Sequence, residues 1–233
     1  MIFRFCSIVA ATSLLSCCVT APCGETVTRE YAIDMAKQYT MLRWTATEAN
    51  SLHGLDADGQ RIDTPDAASS SSLGSAMWWT PGVNIGMPYK WGGFDTPKEF
   101  LKRLSKESPV YAGDYASEAK VAGGDNAVSR YAAGIDCSGL VSRCWRLSRP
   151  YSTRELAGLC EALSDFSELK AGDIALKPGV HVILFDSWAN KEHSAFYAIE
   201  AGGVPHWKCY RYLMSIDTLK KLGYSPNRYT NIR

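Results

Sequence analysis

The sequence predicts an α+β domain in which a cysteine-bearing helix packs on an antiparallel sheet. Three observations point there. Apolar residues recur mainly at helical spacing up to about residue 163. From residue 171 onward, strand-like runs follow one another, separated by Pro178-Gly179 and Gly202-Gly203. Such short turns join antiparallel strands, because a parallel pair needs a long crossover. Helices first and strands later is an α+β order.

With 233 residues the chain is long enough for one well-packed core. Its hydrophobic share of 46% and charged share of 21% are ordinary for a globular protein. A formal net charge of +1 gives no electrostatic case for nucleic acid as a partner.

Residues 1–16 read as a signal segment. Arg4 supplies a positive charge, and the apolar run 5–15 has the length of a signal-peptide core, too short to cross a bilayer. It closes on Leu14-Leu15-Ser16-Cys17, the order of a bacterial lipoprotein signal. Cleavage before Cys17 would leave residues 17–233, held to the membrane only by lipid on that thiol and facing the periplasm or cell wall. A secretory cut after Ala21 is the alternative, and Pro22 stands against it. Either route exports the protein, which permits disulfides. Besides Cys6 and Cys17 the chain has Cys18, Cys23, Cys137, Cys144, Cys160 and Cys209. No Cys-x-x-Cys occurs, so no metal site is expected. Pairing among Cys144, Cys160 and Cys209 stays open.

Residues 28–48 predict a helix with Thr28 as its N-cap, and 51–75 a long polar loop. Together they make an N-terminal stretch, 17–76, ahead of the main unit at 77–233. Residues 77–95 carry Trp78, Trp79, Tyr89, Trp91 and Phe94 among Gly and Pro, and predict a packed loop rather than a strand. Thr96-Pro97-Lys98-Glu99 is a capping box with proline at the first helical position, opening a helix to about residue 106. Residues 107–133 have no clear period; a short helix is expected at 126–132. Cys137, Leu140, Val141, Cys144 and Trp145 follow at helical spacing up to a stop at Pro150. A short helix is expected over 153–163. Strands follow in 171–177, 180–188, 195–201 and 206–216, then a short helix from Asp217.

Cys137 stands in the first turn of its helix, where the helix dipole favours an anion. A thiol attacks as thiolate, and a nearby imidazolium lowers its proton affinity further. Among four histidines, His53 falls in the polar loop, His193 in a turn and His206 beside Pro205. His181 instead opens an apolar strand, directly after the Pro178-Gly179 turn. It is the candidate base. A base also needs its second ring nitrogen held. Glu200, an acid inside the apolar run "YAIEA", is the candidate acceptor, because a carboxylate there needs a partner.

Four segments in this order carry a family signature: "MPYKWGG" (87–93), "DCSGLV" (136–141), "LKAGDIAL" (169–176) and "HVILF" (181–185). Over roughly residues 78–215 the chain resembles the NlpC-type cell-wall cysteine peptidases, a branch of the papain-like fold. The resemblance implies Cys137 as nucleophile, His181 as base and Glu200 in the orienting position, which relatives often fill with histidine or an amide. It implies Tyr89 at the oxyanion site, with Asp136 and Ser138 holding the free amino end of a peptidoglycan stem peptide; a plain helix cap is the other reading of Asp136. The implied reaction cleaves the bond between γ-D-glutamate and a diamino acid, with no cofactor. Cysteine before histidine favours the unpermuted peptidases. Another amide hydrolysis or acyl transfer, or a non-catalytic wall-binding lipoprotein, stays open.

In the family the "GG" and "DCSG" segments are usually close, whereas here Gly93 and Asp136 lie 43 residues apart. The inserted segment, about 96–133, is expected to pack beside the cleft and narrow or lid it. No SH3-like targeting domain is recognisable before residue 77; lipid on Cys17 would supply the confinement instead.

Overall fold

The structure is a computed structural model describing residues 26–67, 77–106, 110–203 and 206–233. The signal segment and the lipidation site at Cys17 lie outside the described residues. The chain is a mixed α+β protein whose helices flank an antiparallel sheet.

Helix α1 (Arg29–Thr40) starts where Thr28 accepts the Tyr31 N–H at 3.2 Å. Its face of Ala32, Ile33, Ala36 and Tyr39 is buried. The helix is shorter than expected. After a break at Met41, strand β1 (Arg43–Ala46) alternates exposed and buried, with Trp44 pointing inward and donating its indole N–H to the Gly86 carbonyl at 2.9 Å. The polar stretch expected as loop contains a hairpin, β2 (His53–Leu55) with β3 (Arg61–Asp63). Asp56 makes its turn by accepting the N–H groups of Asp58 and Gln60 at 2.9 and 2.8 Å. The aromatic stretch expected as loop contains strand β4 (Gly82–Ile85), which pairs with β1.

Helix α2 (Pro97–Leu104) has the expected capping box: Glu99 N–H to Thr96 Oγ1 at 3.2 Å, and Thr96 N–H to Glu99 Oε2 at 2.7 Å. Its buried Phe100 meets Trp44 edge-on. Beyond it, β5 (Tyr111–Ala112) and β6 (Ala132–Ala133) pair in parallel, and α3 (Glu118–Gly123) lies between them. The helix expected at 126–132 does not form. A 3₁₀ turn at 124–127 starts from Gly124 at φ +55°, and the buried Lys120 ammonium bonds the Ala127 carbonyl at 2.9 Å.

Helix α4 (Cys137–Cys144) follows, then α5 (Thr153–Ala157), which stops short of the expected residue 163. Residues Cys160–Ala162 form strand β7 instead, at the edge of the main sheet. That sheet adds β8 (Ile174–Lys177), β9 (His181–Trp188), β10 (Ala195–Ala201), β11 (Cys209–Ser215) and β12 (Ser225–Tyr229), with α6 (Ile216–Leu222) between the last two. The order is β11-β10-β9-β8-β12-β7, every neighbour antiparallel. β12, unforeseen, carries Pro226 and sits between β8 and β7.

The sheet is buried on both faces. Ile174, Leu176, Val182, Leu184 and Ile199 join Leu140, Val141 and Cys144 of α4 in one cluster. Ala175, Ile183, Phe185, Phe196 and Ala198 join Ile216 and Leu219 of α6 in the other. Each large aliphatic side chain so buried contributes about 1.5–3 kcal/mol. This packing fixes the start of α4 relative to the start of β9. Among the described residues no helix is long and apolar enough to cross a membrane.

Candidate active site

The two separated motifs meet in space. Ile135 N–H bonds the Pro88 carbonyl at 3.2 Å, and Lys90 N–H bonds the Ile135 carbonyl at 3.0 Å. Asp136 N–H reaches the Gly93 carbonyl at 3.3 Å. Gly139 makes the approach achievable: a β-carbon there would run into the Gly93 oxygen. The inserted segment leaves and returns at one place. Gly134 N–H bonds Asp95 Oδ2 at 2.9 Å, and Arg103 ties Asp95 to the carbonyls of Arg130 and Ala132. From inside the insertion, Tyr115 packs on Trp207 at 5.5 Å between centroids, and Trp207 lies edge-on to Tyr89 at 5.1 Å. The insertion thus sits beside the Tyr89 segment, with Trp207 as the contact.

Cys137 is the first residue of α4 and is buried. Asp136 is the N-cap. Its Oδ1 accepts the Gly139 N–H at 2.5 Å and the Ser138 hydroxyl at 3.0 Å. Both residues expected to hold substrate therefore also hold the helix start. Burial raises the Asp136 carboxyl above its ordinary range, although its hydrogen bonds and the Lys90 charge act the other way.

His181 opens β9 and places Nε2 2.9 Å from Glu200 Oε2. Its ring faces Cys137 closely enough for the two groups to act on each other's charge. With Nε2 on the carboxylate, Nδ1 is the nitrogen left for the sulfur. Burial works against the imidazolium, but the Cys137 charge and hydrogen bond, followed by those of Glu200, raise His181 well above an ordinary histidine. Glu200 is buried, which favours its neutral form, yet hydrogen bonds from His181, Tyr210 and Tyr212 hold it below its ordinary range. Cys137, His181 and Glu200 thus form one connected unit.

Tyr89 is buried, and burial with the charges of Cys137 and Asp136 pushes its phenol upward, so it remains a neutral donor beside the sulfur. The other three histidines have other company: His53 bonds Asp66 at 2.8 Å, His193 stacks on Trp188, and His206 lies edge-on to Tyr210. Cys144, Cys160 and Cys209 are free thiols, so the pairing left open among them is absent. Burial raises all three, Cys160 to about 12.

Sequence reading missed four aromatic residues at the site. Tyr210 donates its hydroxyl to Glu200 Oε1 at 2.6 Å, and Tyr212 stacks on Tyr210. Tyr224 stands edge-on to His181 at 6.5 Å, and Trp207 backs Tyr89. A signal existed for the first two: in "CYRYLM" the tyrosines alternate, so both fall on one face of a strand beside Glu200. Among the described residues no group of three or more His, Cys, Asp or Glu side chains could hold a metal. No family model, curated protein or solved structure matches this chain.

Proposed function

We propose that the chain is an exported cysteine peptidase of the NlpC type, with a papain-like domain, that hydrolyses γ-D-glutamyl–diamino acid bonds in peptidoglycan stem peptides. In this reading a lipid on Cys17 holds it at the membrane facing the wall, and no cofactor takes part. The observation that carries the reading is the chain Cys137–His181–Glu200, set where a helix begins.

The Cys137 thiolate attacks the amide carbonyl carbon, and the carbonyl electrons move onto oxygen. The Cys137 backbone N–H and the neutral Tyr89 phenol stabilise that oxyanion. His181 gives its proton to the leaving nitrogen as the C–N bond breaks, leaving a thioester. Water then attacks the thioester while His181 takes its proton; the C–S bond breaks and the thiol is regenerated. Glu200 keeps the imidazole oriented throughout. Asp136, an acidic group next to the sulfur, suits a substrate with a free amino end.

Digestion of purified muropeptides, with products weighed by mass spectrometry, tests this. Wild type is expected to release fragments cut after γ-D-glutamate, and Cys137→Ala none. Equal cleavage by both would remove Cys137 from the mechanism. Cleavage of simple N-acyl amides without muropeptide cleavage would move the substrate off the wall, and a wild type inert to both would favour a wall-binding protein.

A further inference from the structure

We propose that Tyr210, supported by Tyr212, is a positioning residue of the catalytic unit: its phenol fixes the Glu200 carboxylate in the orientation that holds His181 against Cys137. The inference rests on the peptidase reading and deepens it, for it makes the orienting member a carboxylate clamped by tyrosines rather than a lone side chain.

The geometry divides the carboxylate between two donors. His181 Nε2 takes Oε2 at 2.9 Å and the Tyr210 hydroxyl takes Oε1 at 2.6 Å. Glu200 cannot rotate without giving up one of them. The strand pairing makes this contact obligatory, because Glu200 and Tyr210 stand directly opposite each other in β10 and β11. Two residues on, on the same face, Tyr212 stacks on Tyr210 with centroids 4.8 Å apart and planes at 25°, and its phenol adds to Tyr210 in holding the Glu200 carboxyl below its ordinary range. Gly202 leaves the space: a β-carbon there would collide with Glu200 Oε1.

A buried carboxylate prefers to be neutral unless donors surround it. Two phenols keep it ionised without adding a positive charge that would repel the imidazolium. The groups facing His181 are Cys137 from α4, Glu200 from β10 and Tyr224 ahead of β12. Lys177 pairs with it across β8 but sends its ammonium to the Leu222 carbonyl. Tyr210 and Tyr212 face Glu200 from β11. Removing the Tyr210 hydroxyl frees Oε1, raises the proton affinity of Glu200 and lets the carboxylate turn from the ring. The imidazolium then loses part of its support.

The test is a histidine-ring NMR titration of the full chain, comparing wild type, Tyr210→Phe, Gly202→Ala and the control Tyr197→Phe. The His181 midpoint is expected to fall by about one unit, a tenfold loss of proton affinity, in Tyr210→Phe, and not in Tyr197→Phe. Iodoacetamide alkylation of Cys137 at pH 6 is expected to slow with it. A midpoint unchanged in Tyr210→Phe overturns the proposal; should that variant not fold, an unchanged midpoint in Gly202→Ala does so. No substrate enters this measurement. A failed muropeptide digestion would therefore count against the proposed reaction and leave the tyrosine clamp standing or falling by its own titration.

Discussion

Four free thiols lie among the described residues, and their surroundings separate them. Cys144 and Cys209 are buried, Cys160 partly so, and each is driven toward the neutral form by burial. Cys137 has an imidazole partner raised well above its ordinary range, at a helix start that favours an anion. A raised histidine keeps its proton above the ordinary 6.5 and loses it only as pH climbs through the folded value. The alkaline limb of a kcat/KM profile on muropeptides is therefore expected above pH 6.5. Glu200→Gln removes a charge and an acceptor from the imidazolium, so that limb is expected to move to lower pH and kcat/KM to fall at least tenfold. An unmoved limb would mean that Glu200 does not hold the base. Cys137, His181 and Glu200 were legible because each is a reactive or charged residue at a structured position. Asp136 was only half legible, since a helix cap and an amine-binding acid look alike in sequence; the structure shows the cap. The tyrosines were not, because alternating aromatics are equally the mark of ordinary strand packing.

At the scale of elements, the start of α4 does the positioning, and two substitutions probe it. Asp136→Ala removes the cap and is expected to cost about 0.5–2 kcal/mol in a denaturant melt. Gly139→Ala brings a β-carbon against the Gly93 carbonyl, which is backbone and cannot swing aside. It is expected to destabilise further and to slow Cys137 alkylation, since it drives the "DCSG" and "WGG" segments apart. A variant alkylated at the wild-type rate would show that this contact does not place the sulfur. Local signals made some elements readable: the Thr96–Glu99 capping box marked α2, and the apolar spacing after Cys137 marked α4. Elements that depend on distant partners were hidden. β1 and β4 make a strand only by pairing with each other, and the β2–β3 hairpin lies in a polar run stitched by Asp56. β12 is polar and holds a proline, which argues against a strand between two others.

At the scale of the molecule, an α+β chain with a helix on an antiparallel sheet was readable; the sheet order beyond β8 was not, because residues far apart in sequence supply it. The inserted segment is held by the buried Lys120–Asp114 ion pair at 2.6 Å. Burial raises the Asp114 carboxyl to about 6, outweighing its hydrogen bond and charge contact with Lys120. Because the folded state holds that proton more tightly than the unfolded chain does, ionising Asp114 costs stability progressively as pH rises from about 4 to about 6. Lys120→Met takes away the ammonium and leaves the acid with the Asp63 N–H and the Lys90 charge. Its cost in chemical unfolding is expected near 3–5 kcal/mol at pH 8, where Asp114 must stay charged or bind a proton against the gradient, and smaller at pH 5. Equal costs at both pH values would contradict the linkage. What the whole fold delivers is a cysteine at a helix start facing a histidine held by a carboxylate, and alkylation tests whether that pair is reactive. Wild-type chain is treated with iodoacetamide at pH 6 and the modified cysteines are located by peptide mass spectrometry, beside His181→Ala. Rapid, selective labelling of Cys137 that collapses in the variant is the expected result; a Cys137 as silent at pH 6 as Cys144 would contradict the account.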